Sequence, residues 1–167
     1  MELKDFLRDV KPDDFLDKTT LFDGKMKVAF PKGFKDMPEE LVAKRFLGKN
    51  KPHVILSNED ASVFYTFSLY ANPLENKEKS VKEAITQIHS VIKKQFQAIP
   101  MPFVFDGKEL KIGWFTYKTP STAGALFQVM YVAPIAGQLM LGTCVCPDNS
   151  KNKLSLMSIL SFIKDAS

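Results

Sequence analysis

Two Asp-Gly pairs, Asp23-Gly24 and Asp106-Gly107, each sit between runs of strand-forming residues, and they constrain this chain more than any other feature. A two-residue hairpin loop needs positive φ at both central positions, which Asp-Gly supplies at low cost. The first pair predicts a hairpin of residues 19–22 with 25–30. The second predicts one of residues 103–105 with 110–118. A third hairpin is expected between 125–133 and 138–146, turning across Pro134, Ile135, Ala136 and Gly137. Strands joined by tight turns pair antiparallel, so the backbone of the fold is an antiparallel sheet.

The alternation of side chains supports this. In residues 62–70, Val63, Tyr65, Phe67 and Leu69 fall on one face, with Ser62, Phe64, Thr66, Ser68 and Tyr70 on the other. In the strand after Asp106-Gly107, Leu110, Ile112 and Trp114 share a face, opposite Phe115 and Tyr117. The strands of the third hairpin are apolar on both faces, which marks central strands covered on two sides. A shorter strand is expected at 53–57, with Asn58, Glu59 and Asp60 forming the turn that follows.

Helical periodicity is clearest after residue 80. Ser80 and Glu83 match a capping box, and Val81, Ile85, Ile88, Ile92, Phe96 and Ile99 form one stripe ended by Pro100 and Pro102. A short helix is expected at 38–46, with Pro38 near its start. Leu154, Met157, Leu160, Phe162 and Ile163 predict an apolar C-terminal helix. Leu3, Phe6, Leu7 and Val10 form the stripe of an amphipathic leader in residues 1–17, ahead of a single domain at 18–167. The expected class is α+β, an α/β/α sandwich with a mostly antiparallel six- to seven-stranded sheet and two long covering helices.

Charge is uneven. Residues 1–17 hold six acids and three bases, leaving 13 acids and 20 bases from Lys18 onward. A basic body could favour an acidic partner. Nucleic acid is not the expected partner, because there is no dense basic run and Arg8 and Arg45 are the only arginines. Cys144 and Cys146 stand two apart in a strand, their Cα atoms about 6.6 Å apart with parallel Cβ vectors, which disfavours a disulfide. Two reduced thiols, with no apolar h-region at the N-terminus, predict a cytoplasmic protein with no membrane span.

The run Met26-Lys27-Val28-Ala29-Phe30-Pro31-Lys32-Gly33-Phe34-Lys35 resembles the early strand and Pro-x-Gly-aromatic turn of the Mog/PsbP-like superfamily, and its DcrB-like bacterial branch in particular. The resemblance continues through the helix at 80–98, the strands after Trp114 and the closing helix at 153–163, about residues 18 to 165. That superfamily includes extrinsic proteins of photosystem II, a nuclear-import factor that binds the Ran GTPase, and bacterial proteins of which some act as chaperones for secreted effectors. The resemblance implies an α/β/α sandwich and mostly non-enzymatic binding roles. No functional residue carries over from it.

Chemistry-bearing constellations are sparse. His53 and His89 are the only histidines. His53 reads as a strand-end surface residue and His89 as a boundary residue beside Ile88. A small hydrolase or transferase using Cys144 or His89 is the alternative reading, without a local motif to support it. Two cysteines and two distant histidines make a weak metal set, so no metal and no cofactor is expected. There is no phosphate-binding glycine motif. The acid pairs Asp13-Asp14, Glu39-Glu40 and Glu59-Asp60 read as solvated caps and loops. Aromatic residues on strands are the more informative feature. If one sheet face is partly bare, Tyr65, Trp114, Tyr117 and Tyr131 are the expected partner-binding residues, because tyrosine and tryptophan suit half-wet interfaces. The expected function is a protein-binding adaptor or chaperone-like module taking an apolar helix or peptide. A homodimeric structural subunit is a further alternative.

Overall fold

A computed structural model describes residues 16–46, 51–73, 77–96, 101–106, 111–120, 124–148 and 163–165. The expected leader helix and nearly all of the expected C-terminal helix lie outside these residues. The described chain is α+β, with a seven-stranded sheet, a three-stranded sheet and two helices.

The three-stranded sheet holds β1 (Leu16–Leu21), β2 (Met26–Pro31) and β10 (Lys164–Asp165), with β2 in the middle. Asp23 and Gly24 take φ of 57° and 82°, and Lys25 N donates to Phe22 O at 3.3 Å, so the first Asp-Gly turn forms. The ladder closes at Leu21 opposite Met26, and Phe22 also takes a φ of 56°, one residue short of the expected strand ends on each side.

In the large sheet the order is β3 (Lys35–Asp36), β4 (Val54–Ser57), β5 (Phe64–Pro73), β9 (Gln138–Pro147), β8 (Leu126–Ile135), β7 (Lys111–Thr119), β6 (Phe103–Asp106). Every described strand pair is antiparallel. The third hairpin is tighter than expected: Ile135 pairs with Gln138, and only Ala136 and Gly137 turn, at φ of 53° and 72°. Pro134 stays in the ladder opposite Leu139. In the second, Asp106 joins the ladder opposite Lys111, so β6 runs one residue further than expected and four residues still separate the two strands.

Between β4 and β5, the Asn58 side chain closes the turn. Its Oδ1 accepts from Val63 N at 3.0 Å, and Asp60 Oδ1 accepts from Ser62 N at 3.1 Å. Arg45, from the short helix α1 (Glu39–Arg45), donates to Ala61 O and lies over the Phe64 ring.

Helix α2 (Lys77–Gln95) starts three residues ahead of the expected cap, so Ser80 lies inside its first turn. As far as Phe96 its stripe is as expected: Val81 and Ile85 are buried with Phe115, Tyr117 and Val132, and Ile88, Ile92 and Phe96 pack against them, while Ile99 and Pro100 lie outside the described residues. Gly113 lets the helix approach β7, since a Cβ there would stand 2.9 Å from Ile85 Cγ2. His89 is buried, not a boundary residue. It follows Val81 and Ile85 at four-residue steps, so it lies on the inner stripe, where it packs edge-on against Phe115.

The opposite sheet face carries the larger core. Tyr65, Phe67, Phe127, Val129, Tyr131, Met140 and Cys144 form one cluster with Met26, Val28 and Phe30 of β2 and with Ile163. Alternate residues of β8 enter the two clusters, Val129 and Tyr131 on one side and Met130 and Val132 on the other. The central strands are therefore covered on both faces, as their composition implied.

Candidate functional site

One lateral row of side chains crosses the large sheet from core to open edge. The ladder places Val54 opposite Phe67, Phe67 opposite Gly142, Gly142 opposite Tyr131, Tyr131 opposite Trp114, and Trp114 opposite Phe103. Phe67 and Tyr131 are fully buried, Trp114 is half-buried, and Phe103 is 55% exposed. Phe103 stacks on Trp114 at a centroid distance of 4.9 Å. This stacking holds the indole at the rim with one flank in the core cluster.

β6 is the last strand of this sheet among the described residues, so its outer backbone edge pairs with no described strand. Its next residue, Val104, is 47% exposed, and Met101, just before the strand, is 70% exposed. Successive strand residues face opposite sides, so the β6 rim is apolar on both. A contiguous exposed apolar edge is the kind of surface that marks a contact site. The other edges differ. β3 is two residues long, and β1 reads Leu-Asp-Lys-Thr-Thr-Leu, with charge in its middle.

The four expected partner-binding residues do not share a surface. Tyr65 and Tyr131 lie in the larger core, fully buried. Tyr117 is on the opposite face, packed on Phe96 and donating to Gln128 Oε1 at 3.0 Å. Trp114 alone reaches the rim. Sequence reasoning missed Met101, Phe103 and Val104. The available signal was the shortness of the strand after Pro102, which suits an edge.

Among the described residues, the buried hydroxyls of Tyr65 and Tyr131 have no hydrogen-bond partner of normal geometry. Tyr131 lies beside the Cys144 thiol, at best a weak partner. Burial first, and the neighbouring thiols second, hold the Tyr65 phenol well above its ordinary value. Burial, followed by Cys144 and Tyr65, does the same for Tyr131. The Cys144 thiol is likewise pushed up by burial and then by Cys146, against a smaller opposing effect of Tyr131. Such a thiol stays protonated and is a poor nucleophile. It is also separated from His89 by the sheet, since Cys144 belongs to the β2-side cluster and His89 packs on Phe115 of the α2 side. His53 is exposed at a strand end, as expected, with Nδ1 accepting from Leu69 N at 3.1 Å.

Both cysteines are free. No group of three or more His, Cys, Asp or Glu side chains among the described residues is placed to hold a metal ion. No helix among them is long and apolar enough to cross a membrane.

No known protein family matches the sequence, and no curated protein does. Several solved structures are similar in fold, and two of them illustrate the likeness. One is a protein from Bacteroides thetaiotaomicron VPI-5482, at a TM-score of 0.58 and 5% identity, matched over 90% of this chain and 48% of its own. This chain thus spans about half the length of that neighbour. The other is LpqN, described as involved in cell envelope biogenesis of Mycobacterium tuberculosis, at a TM-score of 0.56 and 10% identity, covering 100% of this chain and 98% of LpqN. At these identities the likeness is one of fold, shared with LpqN over nearly the whole length of both chains.

Proposed function

We propose that this chain is a binding module, an adaptor or chaperone-like accessory protein, whose contact surface is the apolar rim formed by Met101, Phe103, Val104 and Trp114. One observation carries the reading: the end strand of the seven-stranded sheet exposes apolar side chains on both faces, beside a stacked indole. Exposed apolar area of this kind gains from being covered, at about 25 cal/mol per Å² removed from water. The partner-binding role expected of Tyr131 becomes an indirect one: Tyr131 stands beside Trp114 in the ladder and backs it from the core, Trp114 presents the rim, and Tyr65 and Tyr117 lie away from it.

The resemblance to the Mog/PsbP-like superfamily and its sandwich architecture is consistent with this reading, because non-enzymatic binding dominates there. The cytoplasm is the proposed compartment, supported by the two free thiols. The likeness to LpqN makes the cell envelope the alternative, and subcellular fractionation decides between them.

The test is a photo-crosslinking residue, benzoylphenylalanine, placed at Phe103 in living cells, with Tyr70 as the control, since Tyr70 is also an exposed aromatic. The reading expects a discrete adduct at Phe103 that is absent at Tyr70. Equal or absent adducts at both positions refute it. The adduct mass also tells a foreign partner from a second 18.8 kDa copy.

A further inference from the structure

Resting on the rim reading above, we infer that the occupant of this site is an extended peptide segment, rich in β-branched residues that meet both sheet faces and acidic toward one end, which pairs with β6 as an additional strand. The shape of the site selects an extended segment over a helix. β6 ends the ladder with its outer backbone edge unpaired among the described residues, and a strand completes such an edge by main-chain hydrogen bonding. An added strand alternates its own side chains between the two sheet faces. One set would extend the Phe103–Trp114 stack, and the other would extend the Val104 side. A helix could cover only one of these faces.

Charge sets the acidic preference. The last turn of α2 carries Lys93 and Lys94, both exposed, and a short connection leads from it to Met101. The chain as a whole carries a formal charge of +4. The same charge argues against a second copy of this chain as the occupant, since two basic bodies would be brought together. Size argues against it too. A four-residue strand spans about 13 Å, so edge-to-edge pairing would bury far less than the roughly 1,200 Å² of a stable dimer. A short peptide has no such requirement, because it brings no second body to be held.

The test uses the full chain and a short fluorescein-labelled peptide in which Val and Thr alternate and the last residues are Asp. Anisotropy measures its binding. Two further forms are N-methylated on alternate amides, one in each register, so that one of them blocks the edge facing β6. Strand pairing predicts that one methylated form binds roughly tenfold or more weakly while the other binds like the parent. Lys93→Glu with Lys94→Glu should weaken the parent peptide roughly two- to fivefold, an effect that fades at high salt. If both methylated forms bind like the parent, strand pairing is wrong although the rim reading survives. If no peptide binds and Phe103 gives no crosslink, both fall. A native mass measurement showing a dimer that Phe103→Asp converts to monomer would make a second copy the occupant and overturn the proposal.

Discussion

Tyr131 and Gly142 stand directly opposite each other in the β8–β9 ladder, and the Tyr131 ring lies across the glycine where a side chain would otherwise be. A Cβ at 142 would fall inside the radii of Tyr131 Cζ and Oη. The ring is fully buried, so it has no free volume to retreat into. Gly142→Ala is therefore expected to cost about 2 kcal/mol or more through overpacking. Urea unfolding checks this, and a midpoint equal to wild type would show that the ring is not seated as described. Because Trp114 neighbours Tyr131 in the same row, the variant should also alter the emission of this single tryptophan.

The buried hydroxyls of Tyr65 and Tyr131 lead to the opposite expectation. A buried donor without a good partner loses its hydration and gains little in return. Tyr65→Phe and Tyr131→Phe should each leave stability within about 0.5 kcal/mol of wild type, or raise it slightly. A loss beyond about 1.5 kcal/mol would mean that the hydroxyl makes a full hydrogen bond, since that is the upper range for one.

Alkaline pH should destabilise the fold. Cys144, Tyr65 and Tyr131 all have folded-state values above their ordinary ones, chiefly through burial. Each is neutral when protonated, so the folded chain retains protons that the unfolded chain releases, and stability falls as pH rises. The loss should begin near the ordinary thiol value of 9.0 and deepen past the ordinary phenol value of 10.0. Below these values the contribution is fully present. Melting temperature against pH tests the sign, and the double variant Tyr65→Phe with Tyr131→Phe should fall less steeply above pH 10.

Much of this architecture was legible from local chemistry. The strand alternation of Tyr65 and Phe67, the stripe Val81–Ile85–Ile88–Ile92–Phe96 and the Asp23-Gly24 turn all rest on interactions between near neighbours in sequence. The two-residue turn Ala136-Gly137 is hidden in the sequence because alanine carries no signal for the left-handed conformation it takes. His89 reads as a boundary residue by its type, whereas its four-residue spacing from Ile85 is what puts it on the buried stripe. The candidate site was barely legible. Which strand ends the sheet is a property of long-range pairing, and the amphipathic character of Tyr65 and Tyr131 suits a bare sheet face although the layer containing Met26, Val28 and Phe30 buries them.

The thiols provide a check on the alternative chemistry. Cys144 and Cys146 are both fully buried, and Cys144 is held protonated. Neither should react with a thiol-specific reagent in the native state at neutral pH, and both should react once urea unfolds the chain. Rapid native labelling of Cys144 would reopen the case for a cysteine nucleophile.

The emission of Trp114 is the most direct probe of the rim, because the chain has no other tryptophan and this one is stacked on Phe103. Titrating the alternating Val/Thr peptide with its Asp end should shift the emission to the blue and saturate. The Phe103→Ser variant should lose the shift while remaining folded, at a cost of about 1 kcal/mol for the lost stack on Trp114. A peptide that binds without moving the emission, or a shift that survives Phe103→Ser unchanged, would contradict the placement of the contact surface on β6.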